Sequence, residues 1–243
     1  MANINIIALN GHMGSGKDTL GRHLENEYNF YIVSLAKPLY LLAQYYYKII
    51  TETEINSDVL LYKNKTIQYL NTLFTQPVNS NHLYDEILAI AHKSDLINNP
   101  DKPRSFLQNT GQILRSRQGD VLVKALFDQI FNENQMKNIT NFVITDLRTK
   151  EEIDDFKKYA NQYSAPDNNI NLYFIHILVD IHNIILRIGQ RDGVNKNSVL
   201  KHLNHQTEGA IDLSYFNYII DGNAPYLAVI TELESIIVKE HLY

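Results

Sequence analysis

A glycine-rich segment near the start of the chain has the residue types and spacing of a phosphate-binding loop. It fits the pattern G-x-x-x-x-G-K and consists of Gly11, His12, Met13, Gly14, Ser15, Gly16 and Lys17. Glycines let successive backbone amides point inward, and the N-terminus of a following helix adds positive potential. Such a loop holds a polyphosphate largely by its main chain, and Lys17 would reach the β and γ phosphates. The alternative is a glycine-rich turn without a ligand.

The residue after the loop lysine departs from the usual pattern. Ser or Thr commonly stands there and binds Mg²⁺, whereas this chain has Asp18, followed by Thr19. A carboxylate also suits Mg²⁺, so Asp18 would hold the metal directly or through water, or would orient the acceptor. The structural alternative is an acidic side chain that stabilises the first turn of a helix.

A small set of charged residues could spread the negative charge of a transferred phosphoryl group. Arg104 opens a predicted helix, and Asp146 and Arg148 end a predicted strand, where open α/β sheets bind ligands. Arg187 and Arg191 are four residues apart and therefore share a helix face. Together with the loop lysine and the aspartate after it, these five are the expected catalytic residues, each with an ordinary surface role as the alternative.

Strands and helices must alternate to position these residues. Short apolar runs predict strands at 5–9, 30–34, 141–146, 171–179 and 218–220. Helical spacing of apolar residues predicts helices at 17–27, 36–50, 104–115, 120–132, 151–159, 181–191 and 198–203, and a last helix from Pro225. The segment 51–103 has no clean strand and is expected to be a helical insertion. The alternation indicates an α/β protein with a parallel sheet.

Composition limits the partners. The 243 residues include 22 Lys and Arg against 27 Asp and Glu, a formal net charge of −5, whereas proteins that bind nucleic acid usually have a basic surplus. The absence of cysteine excludes disulfides, thiolate metal sites and thiol catalysis. No apolar stretch approaches the ~18 residues of a membrane span, and the first residues lack secretory signal features. We therefore expect a cytoplasmic protein with neither a nucleic-acid nor a membrane partner.

Short motifs in a fixed order over nearly the whole chain resemble those of the deoxynucleoside monophosphate kinases of tailed bacteriophages. That group lies within the nucleoside monophosphate kinase branch of the P-loop proteins. The motifs stand at 14–19, 35–40, 103–104, 107–108, 111, 144–148 and 205–209. The resemblance implies that the γ-phosphate of ATP passes, with Mg²⁺, to the 5′-phosphate of a deoxynucleotide, which gives the diphosphate and ADP. It also suggests a homodimer and, for a phage-encoded chain, the host cytoplasm.

The resemblance implies a role for each matching position. Residues 11–19 would hold ATP, and the chain at Asn223 would run beside the adenine. The Asp146–Arg148 strand end would lie beside the reacting phosphates. Lys37 and Arg104 would bind the acceptor monophosphate, with Gln108 as a base- or sugar-reading residue or a buried amide. Glu152, or Glu151 beside it, would match a glutamate of the relatives that binds substrate. Glu208, with His205, would close the lid or contact substrate, with local hydrogen bonding as the alternative.

The implied fold is a three-layer P-loop NTPase with a parallel sheet, a helical insertion that binds the monophosphate, and a lid. We expect one domain over 1–243, with its core at 1–50, 104–180 and 211–243, the insertion at 51–103 and the lid at 181–210.

Two other assignments remain open on the sequence. The acceptor could be another small phosphorylated molecule, as in phosphomevalonate kinases or dephospho-coenzyme A kinases. The chain could also be a regulator that binds nucleotide without turnover, although its set of arginines argues against that class.

Overall fold

Five strands form a single parallel sheet. The computed structural model describes residues 2–52, 57–164, 168–193 and 211–243. The strands are β1 (Ala2–Asn10), β2 (Tyr31–Val33), β3 (Asn141–Ile144), β4 (Asn168–Leu178) and β5 (Tyr218–Asp221). They lie in the order β2-β3-β1-β4-β5, and every neighbouring pair is parallel. The predicted α/β class is confirmed.

Nine α-helices lie between and after these strands in the described part of the sequence. They are α1 (Lys17–Tyr28), α2 (Lys37–Thr51), α3 (Ser57–Leu73), α4 (Ser80–Lys93), α5 (Arg104–Arg117), α6 (Val121–Lys137), α7 (Lys150–Tyr163), α8 (Ile181–Asp192) and α9 (Tyr226–Lys239). A short 3₁₀ turn covers Leu213–Tyr215. The helix predicted at 198–203 and the end of the predicted lid lie outside the described residues. Among the helices that are described, none is long and apolar enough to cross a membrane.

Apolar side chains alternate between the two faces of the sheet, and each face carries its own layer of helices. Ile7 and Leu9 of β1 belong to a buried cluster with residues of α1, α8 and α9. On the other face, Phe174 of β4 meets Phe156 of α7 edge to face, and Phe156 packs in the same way on Phe127 of α6. Because β-strand side chains point alternately to opposite faces, a strand buried on both sides appears as the continuous apolar run that predicted it.

A ladder of asparagine amides connects the three central strands near their N-terminal ends. Asn5 of β1 lies in register with Asn141 of β3 and Asn171 of β4. Asn5 Nδ2 donates to Asn141 Oδ1 at 2.8 Å, and Asn171 Nδ2 donates to Asn5 Oδ1 at 2.9 Å. A slip of one residue would turn these amides to the opposite face, so the ladder favours the observed register.

The described residues divide into two compact units. One comprises the chain up to Ser34 and from Phe127 onward, and the other comprises Leu35–Leu126. The second unit is wider than the insertion expected at 51–103, because α2 and α5 pack with α3 and α4. The ring of Tyr46 in α2 stacks on Tyr84 of α4 with 5.5 Å between centroids. That 51–103 itself binds the acceptor stays a prediction.

Candidate functional site

The loop between β1 and α1 has backbone conformations that favour glycine at three positions. Gly11, Gly14 and Gly16 adopt φ values of 144°, 83° and 100°, in the left-handed region that favours glycine. A Cβ atom on Gly11 would also lie 2.8 Å from the carbonyl oxygen of Ile177. Helix α1 then begins at Lys17 with Gly16 as its N-cap. The predicted strand–loop–helix context of the motif is confirmed.

The ammonium group of Lys17 lies over the loop that precedes it. Its Nζ donates to the carbonyl oxygens of Gly11 and His12, the second at 2.9 Å, and lies 3.5 Å from Ser15 Oγ. The loop is also closed by a hydrogen bond of 3.0 Å from Ser15 N–H to the His12 carbonyl oxygen. The positive charge of Lys17 is therefore held where the loop amides and the N-terminus of α1 converge.

The loop lies at the point where the order of the sheet changes direction. From β1 the chain passes through α1 to β2 on one side, whereas from β4 it passes through α8 to β5 on the other, and β1 and β4 are neighbours. Ligands of open α/β sheets bind outside the carboxyl ends of the strands at such a point. The topology thus places Gly11–Lys17 where a ligand is expected.

Asp146 and Arg148 follow β3, which is the neighbour of β1 on its other side. Asp146 is half-buried, and its Oδ2 accepts a hydrogen bond of 2.7 Å from Ser34 Oγ, just beyond β2. The side chain of Arg148 is exposed. The carboxyl ends of β1, β2 and β3 thus contribute a lysine, a serine and an Asp–Arg pair to the same edge of the sheet.

Glu152, expected from the resemblance to bind substrate, is buried and caps α7. Its Oε2 accepts hydrogen bonds from the backbone N–H groups of Arg148 at 2.8 Å and Thr149 at 3.2 Å. In return, Glu152 N–H donates to Thr149 Oγ1 at 3.2 Å, which completes a capping box. The Glu152 carboxylate therefore fixes the backbone at Arg148.

Arg187 and Asn223 meet at the turn after β5. Arg187 Nη2 donates to the carbonyl oxygen of Gly222 at 2.7 Å. Asn223 Oδ1 accepts from Asp180 N–H and from Asn183 Nδ2, both at 2.9 Å. These hydrogen bonds connect the start of α8 to the turn at Asn223, which the resemblance places beside the adenine. Arg187, predicted to be catalytic, is thus engaged at this turn, while Arg191 is exposed one helical turn further on.

The residues predicted to bind the acceptor lie in the second unit. Lys37 is exposed at the first position of α2, and Arg104 is half-buried at the first position of α5. Gln108 is exposed one turn later, so the alternative of a buried amide does not apply. Glu208 and His205 lie outside the described residues.

Asp95 holds the N-terminus of α5, a role that the sequence did not reveal. Pro103 is the N-cap and offers no side-chain hydrogen bond. Asp95 Oδ1 instead accepts from Ser105 Oγ at 2.7 Å, Ser105 N–H at 3.1 Å and Phe106 N–H at 3.3 Å. Burial alone would raise the pKa of Asp95, but these hydrogen bonds outweigh it and lower the pKa. A carboxylate ten residues before the serine that it caps carries no recognisable sequence signal.

The oxygen donors near the loop fit Mg²⁺. Asp18 is exposed in the first turn of α1, and Thr19 follows it. In the described part of the chain, no group of three or more His, Cys, Asp or Glu side chains could hold a metal ion. Mg²⁺ commonly binds through one or two carboxylates together with substrate phosphates. A metal that arrives with a nucleotide is compatible with this donor set.

Comparisons with known proteins give a loose structural similarity. No protein-family model matches the chain, and no curated protein sequence matches it. Similar solved structures include TT1252 from Thermus thermophilus, with a TM-score of 0.48, 11% identity and 98% of both chains covered. A sugar kinase from Janibacter sp. HTCC2649 has a TM-score of 0.41 and 11% identity, with 96% of this chain and 93% of that chain covered. A deoxyadenosine kinase from M. mycoides with bound dATP has a TM-score of 0.38 and 13% identity, with 96% and 98% covered. Because all three TM-scores are below 0.5, no substrate or site residue is transferred from these structures.

Proposed function

We propose that the chain is an ATP-dependent phosphotransferase that converts a deoxynucleoside monophosphate into the diphosphate. The carrying observation is the phosphate loop itself, with Lys17 held over it at the switch point of a parallel sheet. Asp146 and Arg148 at the end of the adjacent strand favour transfer over simple binding, because a protein that only binds nucleotide has little need of further charges there. The choice of a deoxynucleotide rests on the resemblance of the motifs.

The proposed reaction moves one phosphoryl group and needs no general base. An oxygen of the acceptor phosphate attacks the γ-phosphorus of ATP, and the bond from this phosphorus to the β–γ bridging oxygen breaks. The electron pair of that bond stays with ADP. The acceptor oxygen is already ionised at neutral pH, so catalysis consists of positioning and charge stabilisation. Lys17 and Arg148 supply positive charge to the equatorial oxygens, and bound Mg²⁺, held by Asp18, would neutralise charge on the phosphates.

The remaining predicted residues divide between donor and acceptor. We assign Arg187 and Asn223 to the adenine end of ATP, because both are engaged at the turn after β5. Arg191 remains a candidate for contact with the phosphates. Lys37, Arg104 and Gln108 are proposed to bind the acceptor.

An assay of ADP release with a panel of acceptors tests this function. The panel contains the common dNMPs and NMPs, phosphomevalonate and dephospho-coenzyme A, each with ATP and Mg²⁺. The proposal predicts turnover with at least one dNMP. Turnover with phosphomevalonate or dephospho-coenzyme A alone would show that the acceptor is not a dNMP. ATP binding without turnover of any acceptor would indicate a regulator.

A further inference from the structure

Asn10, the last residue of β1, is a buried polar side chain directly before the phosphate loop. Only 6% of its surface is exposed. Its Nδ2 donates to the carbonyl oxygen of Leu147 at 3.0 Å, and its Oδ1 lies 2.7 Å from His176 Nδ1. Neither the motif nor the composition singles out Asn10 or His176, which are far apart in the sequence.

The hydrogen-bond partners determine the orientation of this amide. The Leu147 carbonyl can only accept, so the nitrogen of the Asn10 amide must face it. The amide oxygen then faces His176, whose Nδ1 must carry the proton. Burial and the nearby His12 and Lys17 lower the pKa of His176. His176 pairs with Asn10 in the β1–β4 register, and the centroid of its ring lies 5.0 Å from the ring centroid of Phe216.

The Asn10 side chain connects two segments beyond the end of their backbone pairing. The register of β1 with β3 runs from Asn5↔Asn141 to Ala8↔Ile144. The phosphate loop begins three residues after Ala8, and Leu147 stands three residues after Ile144. The hydrogen bond from Asn10 to Leu147 therefore lies beyond the last paired residues of β1 and β3. It connects the residue just before the phosphate loop to the residue between Asp146 and Arg148.

We propose that Asn10 is a positioning residue whose amide, oriented by His176, sets the spacing between the phosphate loop and the Asp146–Arg148 segment. The inference rests on the proposed function, because that spacing matters for transfer between a loop-bound donor and the charges after β3. Asn10 itself contacts no reacting group. A misplacement of about 1 Å in such an arrangement can cost ~10²-fold in rate.

The substitution Asn10→Asp tests the proposal with almost no change in side-chain volume. It replaces the donor that faces Leu147 with a carboxylate oxygen, which repels the carbonyl, and keeps an acceptor for His176. We expect kcat to fall by about 10- to 100-fold, while KM for ATP stays within about twofold of the wild-type value, because the loop residues remain. His176→Phe keeps the aromatic ring but removes the donor to Asn10. It should lower kcat in the same direction by a smaller factor.

A matched control separates this effect from the general cost of an acidic residue in the sheet. Asn171→Asp makes the same replacement in an amide that donates to Asn5 at 2.9 Å, near the N-terminal ends of the strands. We expect kcat close to the wild-type value for this variant. Wild-type kcat in Asn10→Asp, or an equal loss in Asn171→Asp, would overturn the proposal. If Asn10→Asp does not fold, unchanged kcat in His176→Phe overturns it.

Hydrogen–deuterium exchange gives a second readout that needs no substrate. Asn10→Asp should accelerate amide exchange in the segment 145–149, and Asn171→Asp should leave that segment unchanged. If the wild-type protein phosphorylates no acceptor, the proposed function fails, yet the exchange still tests the connection. Unchanged exchange at 145–149 in Asn10→Asp would contradict the positioning role even in an active enzyme.

Discussion

At the scale of single residues, the most specific prediction concerns the role of Lys17 in turnover. Its ammonium group lies over the loop carbonyls, and it would follow the γ-phosphate during transfer. We expect Lys17→Ala to abolish turnover and to leave the fold intact. Lys239→Ala is the matched control, because Lys239 is exposed in the last turn of α9. ADP release and circular dichroism measure the two effects, and turnover that survives in Lys17→Ala would remove the loop from the mechanism.

Arg148 should matter for rate far more than for stability. Its side chain is exposed, and the backbone bond from its N–H to Glu152 survives truncation of the side chain. Removing a group that acts mainly in the transition state commonly costs ~10²–10³ in kcat, and we expect Arg148→Ala to fall in this range. Arg117→Ala serves as the control, since Arg117 is exposed and pairs with Glu86 at 2.8 Å. Steady-state kinetics and thermal melting of both variants test this, and equal kcat values would contradict it.

Candidate functional residues could be predicted where they lie close together in the sequence or directly after a recognisable strand. The phosphate loop occupies consecutive positions, and Asp146 and Arg148 follow a strand that its apolar run reveals. Asn10 and His176 are 166 residues apart, so only the β1–β4 register brings them together. The role of Glu152 in binding substrate comes from the resemblance of the motifs and stays a prediction. The spacing of Thr149 and Glu152 is also that of a capping box, and the structure shows this capping box at the start of α7.

At the scale of elements, the N-terminus of α5 depends on Asp95. Three donors converge on Asp95 Oδ1 at 2.7–3.3 Å, and the helix has no other side-chain cap. Loss of a helix cap typically costs about 1 kcal/mol, so Asp95→Ala should lower the free energy of unfolding by about that amount at pH 7. Urea unfolding measures it, with the exposed Asp101→Ala as the control. Because Arg104 begins the same helix, KM for the acceptor should rise as well.

The pKa of Asp95 gives this stabilisation a definite pH dependence. The pKa is lowered in the folded protein, so the carboxylate stabilises the fold fully above its unfolded pKa of about 3.9. The stabilisation is lost as the pH falls through the lowered, folded pKa. The stability difference between wild type and Asp95→Ala should therefore be constant from pH 7 to about 5 and shrink at more acidic pH. A difference that grows on acidification would contradict this role.

Most elements could be predicted because their apolar periodicity is strong. The strands and helices found in the described residues all correspond to predicted segments. The extent of the helical unit could not be predicted, because α2 and α5 have the same periodicity whether they pack on the sheet or on other helices. The contact of Tyr46 with Tyr84 joins α2 to α4 across 38 residues, and such pairing is not encoded in either segment alone.

At the scale of the whole molecule, the net charge of −5 argues against a long polyanionic partner but allows a small anionic ligand. A few cations at the loop and at the strand ends suffice for a polyphosphate, whereas a long polyanion would meet an overall negative surface charge. We expect single- or double-stranded DNA, added at low salt, neither to stimulate nor to inhibit turnover of ATP with a dNMP. ADP release with and without DNA measures this. Stimulation by DNA would point to a different class of P-loop enzyme.

Product identification by ³¹P NMR distinguishes phosphoryl transfer to a dNMP from simple hydrolysis of ATP. ATP, Mg²⁺ and the dNMP that gives turnover are incubated with the wild-type protein and, separately, with Lys17→Ala. We expect equal amounts of dNDP and ADP, no accumulation of inorganic phosphate, and neither product with the variant. Release of inorganic phosphate without dNDP, or dNDP formation by Lys17→Ala, would contradict it.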